Sequence, residues 1–202
     1  MNDIIEKDKY IYINNNSLSV ELCEDIINIF ENDNSHKRKG VCGNKNRSGV
    51  NLDMKDTIDY TITNFDPKFV DIYNLLYREL NHNLKKYMES VDFDNYKHLD
   101  QYDYVRGVCF QMQKYKKNVG KFNYHIDENV NTIEKENRII VYLWYLNTVD
   151  IGGETEVNNS IIKPVAGKLL LFPATWTYPH CGCKPISDDK YIITGWIVHN
   201  FY

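Results

Sequence analysis

At 202 residues the chain is long enough to close one proper core. Hydrophobic residues make up 43% and charged residues 26%, an ordinary balance for a soluble globular protein. The net charge of −4 gives no electrostatic footprint for nucleic acid or an anionic membrane, and no run of about 18 apolar residues is present to span a bilayer.

The opening Met1-Asn2-Asp3-Ile4-Ile5-Glu6-Lys7-Asp8 lacks the apolar stretch of a secretory signal, so a cytoplasmic or otherwise intracellular location is expected. Residues 10–16 alternate weakly and predict a short strand. Ser17 or Ser19 then caps a helix to about Asn32, with Val20, Leu22, Cys23, Ile26, Ile27 and Phe30 at helical spacing. Residues 33–56 are polar, with Gly40, Gly43, Gly49 and the basic run His36-Lys37-Arg38-Lys39. They predict a solvated loop, long enough to serve as a substrate lid.

Asp66-Pro67 predicts the start of a second helix with Pro67 near its first position. Phe69, Ile72, Tyr73, Leu75, Leu76, Leu80, Leu84 and Tyr87 form its apolar stripe, ending near Ser90. From Tyr102 the pattern changes to strands at 104–115, 120–127, 138–147, the 155–162 region, 167–172 and 190–199. Short strands with Gly and Pro between them predict a sandwich or jelly roll, α+β in class. The expected organisation is one domain over 1–202, with a helical support over about 17–100 and a β-core over about 102–202.

Five cysteines (Cys23, Cys42, Cys109, Cys181 and Cys183) and no secretory signal argue against a disulfide framework. Cys181-Gly182-Cys183 lies next to His180, but no second closely spaced pair exists to complete a structural zinc site.

The chemistry concentrates in His125-Ile126-Asp127 and Tyr178-Pro179-His180. On an extended strand a His-x-Asp pair shares one face, because strand periodicity is two. A His from a later strand would bring two nitrogen donors and one anionic oxygen to one point. That donor set suits Fe(II) and leaves half an octahedron open. Gly152-Gly153-Glu154-Thr155, Lys190 and Trp196 follow in order around these residues.

This order resembles the 2-oxoglutarate- and Fe(II)-dependent dioxygenases, in their prolyl 4-hydroxylase-like branch and its compact viral and bacterial form. The likeness runs from about Val105 to Val198. It is carried by Tyr115, Gly120, His125-Ile126-Asp127, the segment Arg138 to Asn147, Gly152-Gly153-Glu154-Thr155, Lys163-Pro164-Val165-Ala166-Gly167, Leu171-Phe172, His180, Lys190 and Trp196. The resemblance implies a double-stranded β-helix of the jelly-roll or cupin-like kind, with His125, Asp127 and His180 as metal ligands. It implies that Lys190 pairs with the distal carboxylate of 2-oxoglutarate, that Tyr115 and Thr155 help hold this cosubstrate, and that Arg138 and Trp196 line the substrate groove.

Fe(II), 2-oxoglutarate and O2 are the implied cofactors, with ascorbate as reductant. The implied reaction hydroxylates an unactivated C–H bond, foremost of a prolyl residue in a protein or peptide, with succinate and CO2 as co-products. Another side chain, a free amino acid or another small molecule is the alternative substrate. A silent binding module and a zinc hydrolase are the other classes; neither a nucleic acid nor a membrane is an expected partner. Plainer roles exist for single residues: Lys190 in a surface turn, Tyr115, Thr155 and Trp196 as strand or core residues, and Arg138 paired with Glu134 or Glu136. The chain also departs from the family. Phe122 stands where a Tyr is usual, one residue is added between Tyr115 and Gly120, and the connection 173–179 is short.

Overall fold

The computed structural model describes residues 8–43, 48–91, 110–131 and 136–200. Ser19, not Ser17, caps the first helix: its hydroxyl accepts from the Leu22 N–H at 3.2 Å, and α1 runs over Val20–Asn32. Cys23, Ile26 and Phe30 fall on one face of α1 and are buried. The second helix, α2, runs over Val70–Ser90, so Pro67 lies in the turn before it and not at its first position. Asp66 is the reason. Its side chain accepts from Lys68 N–H at 3.0 Å and its carbonyl from Phe69 N–H at 2.9 Å, closing one turn before the helix begins. Leu76, Leu80, Leu84 and Tyr87 are buried as the apolar stripe predicts, and Asn83 is buried among them.

The strands in chain order are β1 (Tyr12–Asn14), β2 (Arg38–Lys39), β3 (Lys55–Asp56), β4 (Ile58–Ile62), β5 (Phe110–Tyr115), β6 (Lys121–His125) and β7 (Val130–Asn131). There follow β8 (Glu136–Tyr145), β9 (Thr155–Val157), β10 (Ser160–Ile162), β11 (Leu169–Pro173), β12 (His180–Gly182) and β13 (Lys190–Asn200). One sheet has the order β1-β11-β8-β13-β5-β4-β2, with β7 joined to β8, and a second has the order β10-β9-β12-β6-β3. Every pairing is antiparallel. This is a double-stranded β-helix core with two helices against it, α+β as the sequence predicts. The segment read as a plain loop, 33–56, is partly ordered into β2 and β3 and pinned by a bridge between Cys42 and Gly49. Residues 104–109 of the expected first core strand lie outside the described residues.

Two-residue periodicity divides the core into two layers. On β8, Tyr142 and Trp144 face the helices and join Phe110, Met112, Ile193 and Ile197 with Phe30, Phe69 and Leu80. The alternate residues Val141, Leu143 and Tyr145 face between the sheets, with Tyr115, Leu170, Phe172 and Ile192. The same alternation turns Lys190, Ile192, Thr194 and Trp196 of β13 toward the space between the sheets. That polar content in a buried strand face is where the fold gives way to a site.

Candidate active site

A cavity of about 700 Å³ opens between the two sheets, and its wall includes His125, Asp127, His180, Tyr115, Thr155 and Lys190. His125 ends β6 and His180 begins β12, and the two are directly paired across the strands, with ring centroids 4.2 Å apart. Strand periodicity predicts His125 and Asp127 on one strand face, but β6 stops at His125 and Asp127 sits in the segment beyond. The carboxylate still turns to the same point. His125 Nε2 lies 3.7 Å from Asp127 Oδ1, and His180 Nε2 lies 3.3 Å from Asp127 Oδ2.

One local device orients both rings. His125 Nδ1 is 2.8 Å from the Asn123 carbonyl, and His180 Nδ1 is 3.1 Å from the Tyr178 carbonyl. A proton on Nδ1 donated to that carbonyl leaves Nε2 as a lone pair facing Asp127. Burial pushes the His125 pKa down to about 4, with His180 adding to the effect, so this ring is neutral at pH 7. Burial raises the Asp127 pKa, but at low pH the hydrogen bond and charge of a protonated His180, with the charge of a protonated His125, outweigh it and hold the carboxyl below the usual range. Two imidazole nitrogens and one carboxylate oxygen within 4.8 Å of one another could hold a metal ion, and this donor set fits Fe(II). Phe122 stacks on the His125 ring at 3.6 Å between centroids. Where a tyrosine would bring a hydroxyl, this chain brings an apolar clamp.

Deeper in the same cavity Lys190 is 1% exposed, and its ammonium has no hydrogen-bond partner. It sits 4.8 Å from the centre of the Tyr115 ring and 5.6 Å from that of Tyr145. Burial pulls its pKa down to about 8. Thr155 Oγ1 and Tyr145 Oη are buried beside each other, and neither has a partner outside this pair among the described residues. Buried polar groups are normally satisfied, so an unpartnered cation beside a pair of hydroxyls fits an anionic ligand with several acceptor oxygens. The surface-turn alternative for Lys190 fails on its burial. Gly152 and Gly153, each with φ of 74°, form the left-handed turn into Thr155, and Gly152 leaves no room for a Cβ, which would fall 2.5 Å from the Lys184 carbonyl oxygen.

The Tyr115 hydroxyl donates to Gln113 Oε1 at 3.1 Å, and Gln113 Nε2 donates to Gln111 Oε1 at 2.7 Å, a polar ladder along β5 that reaches the cavity. Neither glutamine stands out in the sequence; the signal is Gln-x-Gln-x-Tyr at strand spacing between apolar neighbours. Lys55 and Tyr145 are further cavity or near-cavity groups missed as site residues. Lys55 is buried with Asp59 at 2.9 Å, and residues of the expected lid segment, Val41, Cys42, Gly43 and Met54, form part of the same wall.

Arg138 and Trp196 meet at the other side. The guanidinium lies 3.6 Å from the indole centre, and both residues line the cavity. No ion pair joins Arg138 to Glu136, and Glu134 lies outside the described residues. The β8–β13 register shifts between Ile197 and Val198, leaving Ile139 as an extra residue on β8 and turning Arg138 onto the cavity face that Trp196 occupies.

Comparison with known proteins finds a family model and solved structures similar to this geometry. Residues 110–198 match the model of the 2OG-Fe(II) oxygenase superfamily. No curated protein matches the chain. Among solved structures, a viral collagen prolyl hydroxylase from Paramecium bursaria Chlorella virus-1, in its 2OG complex, is similar with a TM-score of 0.64 at 18% identity over 96% of this chain and 98% of that one. A prolyl-4-hydroxylase of Pseudomonas putida is similar with a TM-score of 0.64 at 16% identity, covering 94% of this chain and 93% of its own. A prolyl hydroxylase from Trichoplax adhaerens, in complex with a hypoxia inducible factor oxygen degradation domain peptide fragment, has a TM-score of 0.62 at 18% identity over 94% and 83%. At these identities the structural likeness shows a shared fold alone, and the family-model match falls on the strand core that carries the site. The matched segment 110–198 contains His125, Asp127, Thr155, His180 and Lys190.

Proposed function

We propose that the chain is a 2-oxoglutarate- and Fe(II)-dependent dioxygenase that hydroxylates a prolyl residue in a protein or peptide, with succinate and CO2 as co-products and ascorbate as reductant. The observation that carries this reading is the pairing of the His125–Asp127–His180 cluster with an unpartnered buried ammonium, Lys190, in one open cavity. Bound Fe(II), with 2-oxoglutarate and O2, would supply the oxidising chemistry for an unactivated C–H bond. His125 and His180 would present Nε2 lone pairs, and Asp127 one carboxylate oxygen. Lys190 would meet the distal carboxylate of the cosubstrate, with Thr155 and Tyr115 as hydroxyl partners and Tyr145 beside them. Phe122, Phe172 and Leu143 keep the wall next to the histidines apolar and limit water.

Arg138 and Trp196 would form the substrate side. A flat cation on an indole offers a face for an extended chain and donors for its carbonyls. The prolyl hydroxylases among the structural neighbours, one of them bound to a peptide, support a proline-containing peptide over a free amino acid. The retained cluster and Lys190 favour an enzyme over a silent module.

The test is incubation with Fe(II), 2-oxoglutarate, ascorbate and a panel of proline-rich and proline-free peptides. A mass gain of one oxygen on proline, with succinate formed in step, is expected. Oxygen gained on another residue, or only on free amino acids, would replace the prolyl assignment with the alternative substrate class.

A further inference from the structure

The sheet that carries His125, His180 and Thr155 toward the cavity carries a second cluster on its other face. Glu156 and Cys181 are directly paired across β9 and β12, and Tyr124 lies on the neighbouring strand β6. Cys183 joins them just past the end of β12, fixed by its backbone N–H to the Glu154 carbonyl at 2.8 Å. Cys181 Sγ and Cys183 Sγ stand 3.8 Å apart, and Cys183 Sγ stands 3.4 Å from Glu156 Oε1. The other carboxylate oxygen, Oε2, accepts from the Tyr124 hydroxyl.

We propose that Cys181, Cys183 and Glu156 form a binding site for a thiophilic divalent cation of the zinc type, separate from the His125–Asp127–His180 cluster. The spacing carries the inference. Two thiolates bound at about 2.3 Å to a tetrahedral ion lie roughly 3.8 Å apart, and a thiolate and a carboxylate oxygen roughly 3.5 Å. The donors of Glu156, Cys181 and Cys183 lie within 4.8 Å of one another, as a single ion requires. No disulfide joins the two sulfurs, and both are free thiols. The sequence offers no second cysteine pair for a zinc site; the fold supplies a carboxylate from the adjacent strand instead. Tyr124, exposed and already bonded to Glu156, borders the open fourth position, which it or a water fills. Binding sends the thiol protons to solvent and clamps β9 to the end of β12 behind the first cluster.

The test is a Cd2+ titration of the reduced full-length chain, followed through the ultraviolet cadmium–thiolate absorption, with circular dichroism to verify folding. One thiolate-bound ion per chain is expected, with the absorption retained in His125→Ala and cut by half or more in Cys183→Ser. Glu156→Gln, a milder change at a partly exposed position, is expected to weaken Cd2+ binding about tenfold or more. Absence of thiolate absorption in folded wild type would overturn the proposal. So would full absorption in Cys183→Ser, which would assign it to other cysteines, unchanged affinity in Glu156→Gln, or loss of the absorption in His125→Ala.

Discussion

Lys190 is buried with its ammonium unpaired, so in the ligand-free protein it opposes folding. Burial lowers its pKa from 10.5 to about 8, and the sign follows from proton counting. Between those pH values the unfolded chain holds a proton that the folded chain has released, so stability rises with pH there. The rise amounts to roughly 3 kcal/mol, and below pH 8 the cost is fully present. Denaturant titrations from pH 7 to 10.5 are expected to show that rise in wild type and not in Lys190→Met, whose ligand-free form is the more stable at pH 7. A Lys190→Met variant less stable than wild type at pH 7 would show that the ammonium has a partner. Arg138→Ala is expected to raise KM for a peptide about tenfold, the loss of a stacked, desolvated cation, while leaving 2-oxoglutarate affinity nearly unchanged. Equal loss of both would remove Arg138 from the substrate side. At this scale the sequence was informative where chemistry is unusual: two histidines, an aspartate and one lysine in fixed order. Gln111, Gln113 and Lys55 were not legible, because a polar residue on a strand declares itself only once it is known which face is buried.

Elements show where periodicity misleads. The segment Ile58-Asp-Tyr-Thr-Ile62 forms β4, yet Asp59 is as buried as Tyr60, so no clean alternation marks it. Its reason is the buried pair with Lys55, which also accounts for β3 inside a stretch that reads as loop. Asp59 accepts from Lys55 Nζ at 2.9 Å and from Thr57 Oγ1 at 2.7 Å. Lys55→Met is expected to cost about 3 kcal/mol by stranding a buried carboxylate, and Lys55→Met with Asp59→Leu to cost less than that single change. Additive costs in denaturant unfolding would argue against this coupling. Asn83 is the matching case on α2. It accepts from Tyr12 Oη at 3.1 Å and from Asn14 Nδ2 at 2.8 Å, and donates to Ser17 Oγ at 3.3 Å, which in turn accepts from Trp144 Nε1 at 3.0 Å. An asparagine in a helix stripe looks like a break in the pattern; here it ties α2 to β1 and to β8. Asn83→Ala is expected to lower unfolding free energy by about 2–3 kcal/mol, the cost of orphaning buried partners. A change under a few tenths would mean that water replaces it.

At the scale of the whole molecule, the helices cover one face of the larger sheet, and the two sheets leave a polar cavity between them. Among the described residues no helix is long and apolar enough to cross a membrane. The fold class could be read from many short strands following two helices, because strand count and punctuation survive errors in single boundaries. The convergence of Asp127 on the two histidines could not be read from strand spacing, since β6 ends at His125 and the following segment completes the approach. The family order supplied what periodicity alone could not. The central claim is that His125, Asp127 and His180 hold Fe(II) while Lys190 anchors 2-oxoglutarate across the same cavity. Its most direct measurement is anaerobic titration of the apo-protein with Fe(II) and 2-oxoglutarate, watching the visible metal-to-ligand charge-transfer band. The band is expected in wild type, absent in His180→Ala, and in Lys190→Ala reached only at far higher cosubstrate concentration. Folded, iron-loaded wild type that gives no band would contradict it.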